Sequence, residues 1–346
     1  MSLVLNAVSA IQLCAGCTIE FEPVDTLGAT EDPAGVGLFA DVLKVGDQGY
    51  LVSSEVLGGV VIVYDWEGRY QRELTREGDG PGELRGEPKF ARGAGGIVLF
   101  EPGSPRLHLY SADLVFTKTI QVAGMVRSVL WDSVAGGWLV SHMAAGEGPD
   151  GYRPQLDARI LLLDQEGDSI RSGQAGEAGL WHSVWDKIRG AEGTIWTTTG
   201  AGMVRVFDRD LGFVDSLQLE LPGMDEWNRR EHGSGYPAEV NDIRLAPDGS
   251  TVWVFAFATV LNVDDLVKEL AEAREQGGPP DIERLADTFI YSVRLDPNGL
   301  TLVGRDQLDT RVRPLGDGDL AYDLVETPDG NRRVRVGRLR FTKGSG

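Results

Sequence analysis

Cysteine is almost missing from this chain: its 346 residues hold two, Cys14 and Cys17. That scarcity removes a disulfide framework and a four-cysteine zinc ribbon from consideration. Long apolar runs are missing too. No stretch reaches 18 consecutive apolar residues, so no segment reads as a membrane-spanning helix. Basic charge is scarce, with 33 Lys and Arg against 53 Asp and Glu and a formal net charge of −20. So acidic a surface repels phosphate backbones, and no basic stripe is long enough to offset it, which argues against nucleic acid as a partner. Catalytic signatures are also wanting. There is no G-x-S-x-G elbow and no glycine fingerprint after a β-α turn to hold a dinucleotide.

What the chain has in abundance is turn chemistry. It carries 46 Gly and 16 Pro beside 42% hydrophobic residues, enough for many tight turns around a substantial core. Gly49, Gly96, Gly137, Gly193, Gly249 and Gly318 recur at intervals of 41 to 69 residues. Each precedes a run rich in β-branched and aromatic residues, such as Ile97-Val-Leu-Phe100 and Val252-Trp-Val-Phe255, the signature of a strand. A second landmark follows in most units. Val61-Ile-Val-Tyr-Asp-Trp-Glu-Gly68, Leu161-Leu-Leu-Asp-Gln-Glu-Gly167, Val204-Arg-Val-Phe-Asp-Arg-Asp-Leu-Gly212 and Val293-Arg-Leu-Asp-Pro-Asn-Gly299 each stop an apolar strand at an Asp. That side chain bonds its own backbone in a turn, and the Gly is expected to take the positive φ. Leu107 to Asp113 is a weaker copy.

Six such units fit the chain, at a period suited to propeller blades with loop insertions. The sixth supplies only three strands, Arg311–Pro314, Leu320–Glu326 and Arg333–Phe341. The segment Thr18–Leu27 alternates apolar and polar residues and is the expected fourth. Closing a ring with a strand from the other terminus removes exposed sheet edges. The expected fold is therefore an all-β, six-bladed β-propeller over 18–346, closed by an N-terminal strand. Gly78-Asp-Gly-Pro-Gly-Glu-Leu84 resembles the glycine-proline loop that opens blades in NHL-type repeats and in bacterial six-bladed β-propeller proteins. The resemblance implies a fold rather than an activity, since such relatives include scaffolds, receptors and a few enzymes. Glu83 and Arg85 in that loop read as turn residues, not catalysts.

Residues 1–17 stand apart. Leu3 to Cys17 is mostly apolar and ends in small residues before a cysteine, resembling a bacterial lipoprotein signal with Cys17 as the lipid-anchored residue. It lacks the basic start of such a signal. An inert leader and a redox Cys-x-x-Cys pair are the other readings.

The longest and least repetitive segments all map to the face where second-to-third and blade-to-blade loops emerge. They bring Tyr152 and Arg153 in blade 3, Trp181 and Trp185 ahead of blade 4, and Trp227, Arg229, Arg230 and Tyr236 ahead of blade 5. Aromatic and arginine side chains of this kind dominate binding hot spots. His142, His182 and His232, three of only four histidines, fall on the same face and could converge on a zinc ion. His108, between Leu107 and Leu109, reads as a surface residue. Glu239 to Gly249 resembles the Asn-Asp-x4-Pro-Asp-Gly segment of gluconolactonase-like six-bladed enzymes, which implies a divalent-cation ligand at Asn241. Lys44, Arg92, Arg189, Arg244 and Arg313 all lie four or five residues before a turn glycine. They form either a basic collar for an anion or intrablade pairs with Asp41, Asp186 and Asp242. One helical insertion, over about 262–286 in blade 5, carries an apolar stripe at Val263, Leu266, Val267 and Leu270.

Two functions fit these features. The first is an exported binding or scaffold propeller of the periplasm, cell surface or medium, lipid-anchored at Cys17 or free, needing no cofactor, with a small molecule, glycan or protein as ligand. The alternative is a lactonase-type hydrolase or lyase that uses zinc or calcium over the central channel.

Overall fold

The computed structural model describes residues 17–28, 40–93, 95–146, 155–176, 187–191, 193–199, 201–224, 238–246, 250–259, 261, 263–275, 286–315, 319–326 and 332–343. β1 (Cys17–Thr26) comes first and finds its partner at the far end of the chain. Blade 1 comprises β2 (Ala40–Val45), β3 (Gly49–Ser54), β4 (Ile62–Tyr64) and β5 (Tyr70–Glu73). Blade 2 comprises β6 (Lys89–Gly93), β7 (Gly96–Phe100), β8 (Arg106–Ser111) and β9 (Phe116–Gln121). Blade 3 comprises β10 (Met125–Asp132), β11 (Gly137–Gly146), β12 (Gln155–Leu163) and β13 (Ser169–Gly176). Blade 4 comprises β14 (Lys187–Ala191), β15 (Thr194–Thr198), β16 (Met203–Asp208) and β17 (Phe213–Gln218). Blade 5 comprises β18 (Ala238–Leu245), β19 (Thr251–Thr259), β20 (Ala286–Asp296) and β21 (Gly299–Leu308), with α1 (Val263–Glu275) inserted between β19 and β20. Blade 6 comprises β22 (Arg313–Pro314), β23 (Leu320–Glu326) and β24 (Arg332–Lys343).

Each sheet has four antiparallel strands, and the sixth has the order β1-β24-β23-β22. The strand missing from the sixth unit is thus the N-terminal one, as the sequence predicts. It begins one residue earlier than expected, with Cys17 opposite Lys343, and ends with Thr26 opposite Arg335. Arg340 Nε holds Glu22 at 2.6 Å along this seam. Arg335, ion-paired to Asp323, lies over the ring of Phe21.

Alternation along the second strand of each blade explains the ring. Ile97 and Leu99 of β7 face blade 1, joining Leu51, Val61 and Val63 in one apolar layer. Val98 and Phe100 face blade 3, joining Val129, Trp138 and Val140 in the next. In blade 5, Val252, Val254 and Ala256 pack on Trp196, Val204 and Val206 of blade 4. Trp253 and Phe255 instead pack on Val312, Ala321 and Leu339 of blade 6. Both faces of β7 and of β19 are therefore buried, and Ile97–Phe100 and Val252–Ala258 each read as an unbroken apolar run.

The short turns follow from local chemistry. A Cβ on Gly49, Gly96 or Gly137 would collide with the carbonyl of Tyr64, Tyr110 or Leu163 on the third strand, so that hairpin accepts only glycine. Asp65, Asp164 and Asp208 each accept backbone N–H groups in their turns, as expected. In the Asp208 turn, however, the positive φ falls on Leu211 and not on Gly212. Gly212 is needed there for another reason: a side chain at that position would strike the Asp208 carboxylate.

The two ends of the ring differ. On one, every connection between strands is at most five residues long, from 94–95 to 315–319. On the other leave the long connections, 27–39, 74–88, 147–154, 177–186, 219–237 and 260–285. The insertion holding α1 belongs to this second face, and Leu266 is buried beside Leu261 and Val267. Asp264 and Asp265 make the first turn of α1 acidic, which suits the positive end of the helix dipole.

Candidate functional site

β2, β6, β10, β14, β18 and β22 each stand at one edge of a sheet, and consecutive members of the set lie side by side. They line the central channel. Two are interrupted by β-bulges, at Arg127 in β10 and at Asn241 in β18, where one residue drops out of the ladder. A bulge re-aims the side chain it carries and is frequent beside functional sites. Asn241 is half-buried and its amide donates to the Glu239 carbonyl at 2.9 Å.

The channel wall shared by blades 5 and 6 gathers most of the chemistry. Arg244 donates to Asp242 at 2.7 Å, which is the intrablade pairing considered for it. The guanidinium of Arg311 lies 4.2 Å from the centroid of the Phe257 ring, and that of Arg313 lies 5.6 Å from the same ring. Arg313 also hydrogen-bonds the Tyr322 hydroxyl, which faces the carboxylates of Asp41 and Asp242. Burial pushes the Tyr322 phenol far above its ordinary range; Asp41 pushes the same way, Arg313 opposes it, and Asp242 adds to the rise. Tyr322 is therefore a neutral partner at any working pH. Arg311 escaped the sequence alignment on turn glycines, although its placement two residues from Arg313 gives both the same side of an extended strand.

Among the described residues, the basic collar that was the alternative to intrablade pairing does not form. Lys44 turns onto the face of Trp66, 4.8 Å from its centroid, within the T-shaped stack of Tyr50 and Trp66. Arg92 is exposed, and the side chain of Arg189 and the whole of Asp186 lie outside the described residues. Counting back from a glycine locates a residue along the strand but not the side it faces.

His142 lies inside β11 and not on a loop, paired in register with Val126 and Arg159 and only 3% exposed. Its position, in phase with Trp138 and Val140, directs it to the apolar layer between blades 2 and 3. His182 and His232 lie outside the described residues, as do Tyr152, Arg153, Trp181, Trp185, Trp227, Arg229, Arg230 and Tyr236. Among the described residues no group of three His, Cys, Asp or Glu side chains is placed to hold a metal ion.

The glycine-proline loop between β5 and β6 is a structural wedge, as its turn residues suggest. Glu83 accepts from the Gly80 N–H at 2.8 Å and from Arg76 at 2.7 Å, while Arg85 pairs with Asp79. Three residues in phase on β8 meet the loop or lie beneath it. Arg106 reaches the Asp79 carbonyl, Tyr110 donates to the Gly82 carbonyl at 3.0 Å, and His108 lies between them. Burial pushes the Tyr110 phenol up to about 12.

His108 is a buried residue, 1% exposed, and not the surface residue its setting between two leucines suggests. Its Nδ1 lies 3.1 Å from the Thr119 hydroxyl, and its Nε2 has no hydrogen-bond partner among the described residues. Burial holds it below its ordinary 6.5, the nearby Arg106 adds to this, and Glu101 opposes it. The folded chain thus favours the neutral ring. This contribution to stability is complete above the unfolded value and is lost as pH falls below it. Thermal melts between roughly pH 7 and 5.5 should show a falling midpoint in the wild type and a flatter profile in His108→Leu. Equal slopes would assign the pH dependence to other groups.

Six four-stranded blades closed by the N-terminal strand make the chain a six-bladed β-propeller. No protein-family model matches it, and no curated protein does. Solved structures do. A Bacteroides fragilis NCTC 9343 protein whose name assigns it to export aligns with a TM-score of 0.56 at 11% identity, over 99% of this chain and 98% of that one. A Bacteroides vulgatus member of the DUF4221 family aligns with a TM-score of 0.56 at 10% identity, over 94% and 99%. Hydrazine synthase of Kuenenia stuttgartiensis gives 0.51 at 11% identity, over 86% and 76%. At these identities the likeness concerns the fold alone.

Proposed function

We propose that the chain is an exported binding or scaffold propeller that captures a small molecule, glycan or protein over its loop-bearing face. The observation that carries this is the asymmetry of the ring. Turns of at most five residues cover one face, and every long connection leaves from the other. Loops on a rigid scaffold are where recognition residues concentrate, and Trp181, Trp185, Tyr152, Arg153, Trp227, Arg229, Arg230 and Tyr236 all belong to these connections. Export agrees with the lipoprotein-like segment ending at Cys17 and with the name of the Bacteroides fragilis structural neighbour. The NHL-like character rests on the Gly78–Leu84 loop.

The test is a glycan and peptide array probed with chelator-treated protein. Ligand capture should weaken by tenfold or more in Trp227→Ala, the loss expected for a binding hot spot of about 1.4 kcal/mol or more. Binding unaffected by substitution of Trp181, Trp227 and Tyr236 together would remove this reading. A metal-dependent lactonase-type activity is the second reading, favoured by the bulge that lifts Asn241 out of the channel-lining ladder. One equivalent of zinc or calcium per chain, required for activity and lost with Asn241→Ala, would select it.

A further inference from the structure

We propose that the glycine-proline loop is a strap across blade 2, closed at neutral pH and released in acid when the buried His108 beneath it takes up a proton. The course of the strap is fixed at two points. Arg106 Nη1 donates to the Asp79 carbonyl at 3.4 Å, and the Tyr110 hydroxyl donates to the Gly82 carbonyl at 3.0 Å. Gly80 and Pro81 therefore pass across the stretch of β8 between these two holders. His108 occupies that stretch, in phase with both. The approach is close: a Cβ on Gly82 would lie 3.0 Å from the Phe116 ring, whose centroid is 6.4 Å from that of His108. The ends of the strap are rooted more firmly. Thr75 donates to the Gly59 carbonyl at 2.6 Å, and Leu84 is fully buried beside Leu51, Val61 and Leu99. Between those roots every residue is exposed or half-buried, so this part can lift without unfolding a blade. Release would open the groove between the outer parts of blades 1 and 2.

The space under the strap suits a neutral imidazole. The Thr119 hydroxyl, 3.1 Å from Nδ1, serves that nitrogen as donor or acceptor, while Nε2 has no hydrogen-bond partner among the described residues. Protonation puts an N–H on both nitrogens and leaves Nε2 a buried, charged donor with no acceptor. Around the ring, Arg106 on β8 repels the added charge and Glu101 after β7 attracts it. Glu101 is already engaged by the Arg85 and Gly86 N–H groups and lies 3.6 Å from Arg106. β9 brings the uncharged Thr119 and Phe116. Blade 1 presents apolar residues to this layer, with Arg72 exposed on the same face of β5. The strap itself brings Asp79 and Glu83, paired with Arg85 and Arg76. Closure holds the imidazole below its ordinary value, first by burial and then through Arg106. The closed form is thus fully favoured above that value and is lost progressively as pH falls below it. The Arg85 side chain holds Asp79 below the usual carboxylate range, and the Gly80 N–H and Arg76 do the same for Glu83, so both keep their charge through that window.

Cleavage of the full chain by a glutamate-specific protease, which cuts after Glu77 and Glu83, reads the population of the lifted strap. Rates at about pH 7.5 and about pH 5.5 are each divided by the rate on a synthetic 74–88 peptide at the same pH, which removes the pH dependence of the protease. The normalised rate should rise about fivefold or more at the lower pH, where one imidazole of ordinary pKa sets a ceiling of about tenfold. Cleavage after Glu20 and Glu22 in the closing seam should not rise with it. His108→Leu should abolish the rise, and His108→Gln, uncharged at both pH values, serves if the leucine variant fails to fold. Tyr110→Phe loses one holder and should be cut faster at both pH values. The proposal is overturned if the strap is cut equally at both pH values or if the rise persists without His108. A closing seam that becomes labile to the same extent would also overturn it, since the proton would then act on the whole fold.

Discussion

A chain beginning at Gly28 in place of Cys17 should lose its cooperative fold. Deleting β1 leaves β24 without its outer partner along the whole registered stretch from Arg335 to Lys343. It also removes Ile19 from the layer between blades 5 and 6, and Leu27 from the layer between blades 6 and 1. Burying each of those side chains is worth about 1.5–3 kcal/mol. The combined loss approaches the roughly 5–15 kcal/mol that holds an ordinary domain together. Circular dichroism melts and gel filtration should show a broadened transition and association through the unpaired edge. A synthetic peptide spanning 17–27 should restore a sharp melt. An unchanged melting curve for the shortened chain would mean that the ring does not depend on this seam.

Trp253→Ala should be the most damaging single substitution of those considered. Trp253 is 1% exposed and sits between blades 5 and 6 beside Val312, Ala321 and Leu308. Its ring meets that of Phe255 edge to face at 6.5 Å. Removing a buried tryptophan costs about 3–5 kcal/mol through lost transfer energy and the cavity left behind. The melting midpoint should fall by roughly 10 °C, and Trp253→Phe should recover about half of that. A fall of only a degree or two would show that blade 6 closes over the gap.

The blades were readable in the sequence because each repeats the same two local signals, an apolar second strand after glycine and an aspartate turn after the third. The closing strand was readable because the last unit came up one strand short. What escaped was direction. His108 alternates with Leu107 and Leu109, which in a one-sided sheet would point it to water, but a propeller blade buries both faces. The small residues and Gly-Glu-Gly-Pro that follow His142 suggest a loop, yet β11 continues to Gly146. Around the channel, the bulge at Asn241 shifts the phase of β18, so alternation counted back from Gly249 fails beyond Asp242, at Asn241 itself and at Glu239. The pairing of Phe257 with Arg311 and Arg313 joins two blades and has no signature within either segment.

The register of the closing seam has one further consequence. Cys17 lies opposite Lys343, where β24 ends, and β24 runs away from the loop-bearing side. The backbone at Cys17 therefore leaves the ring at its short-turn side. A tether at that residue, lipid or polypeptide, would hold the disc from beneath like a stalk under a bowl. Its rim of variable loops would then open outward, away from whatever surface the stalk is fixed to.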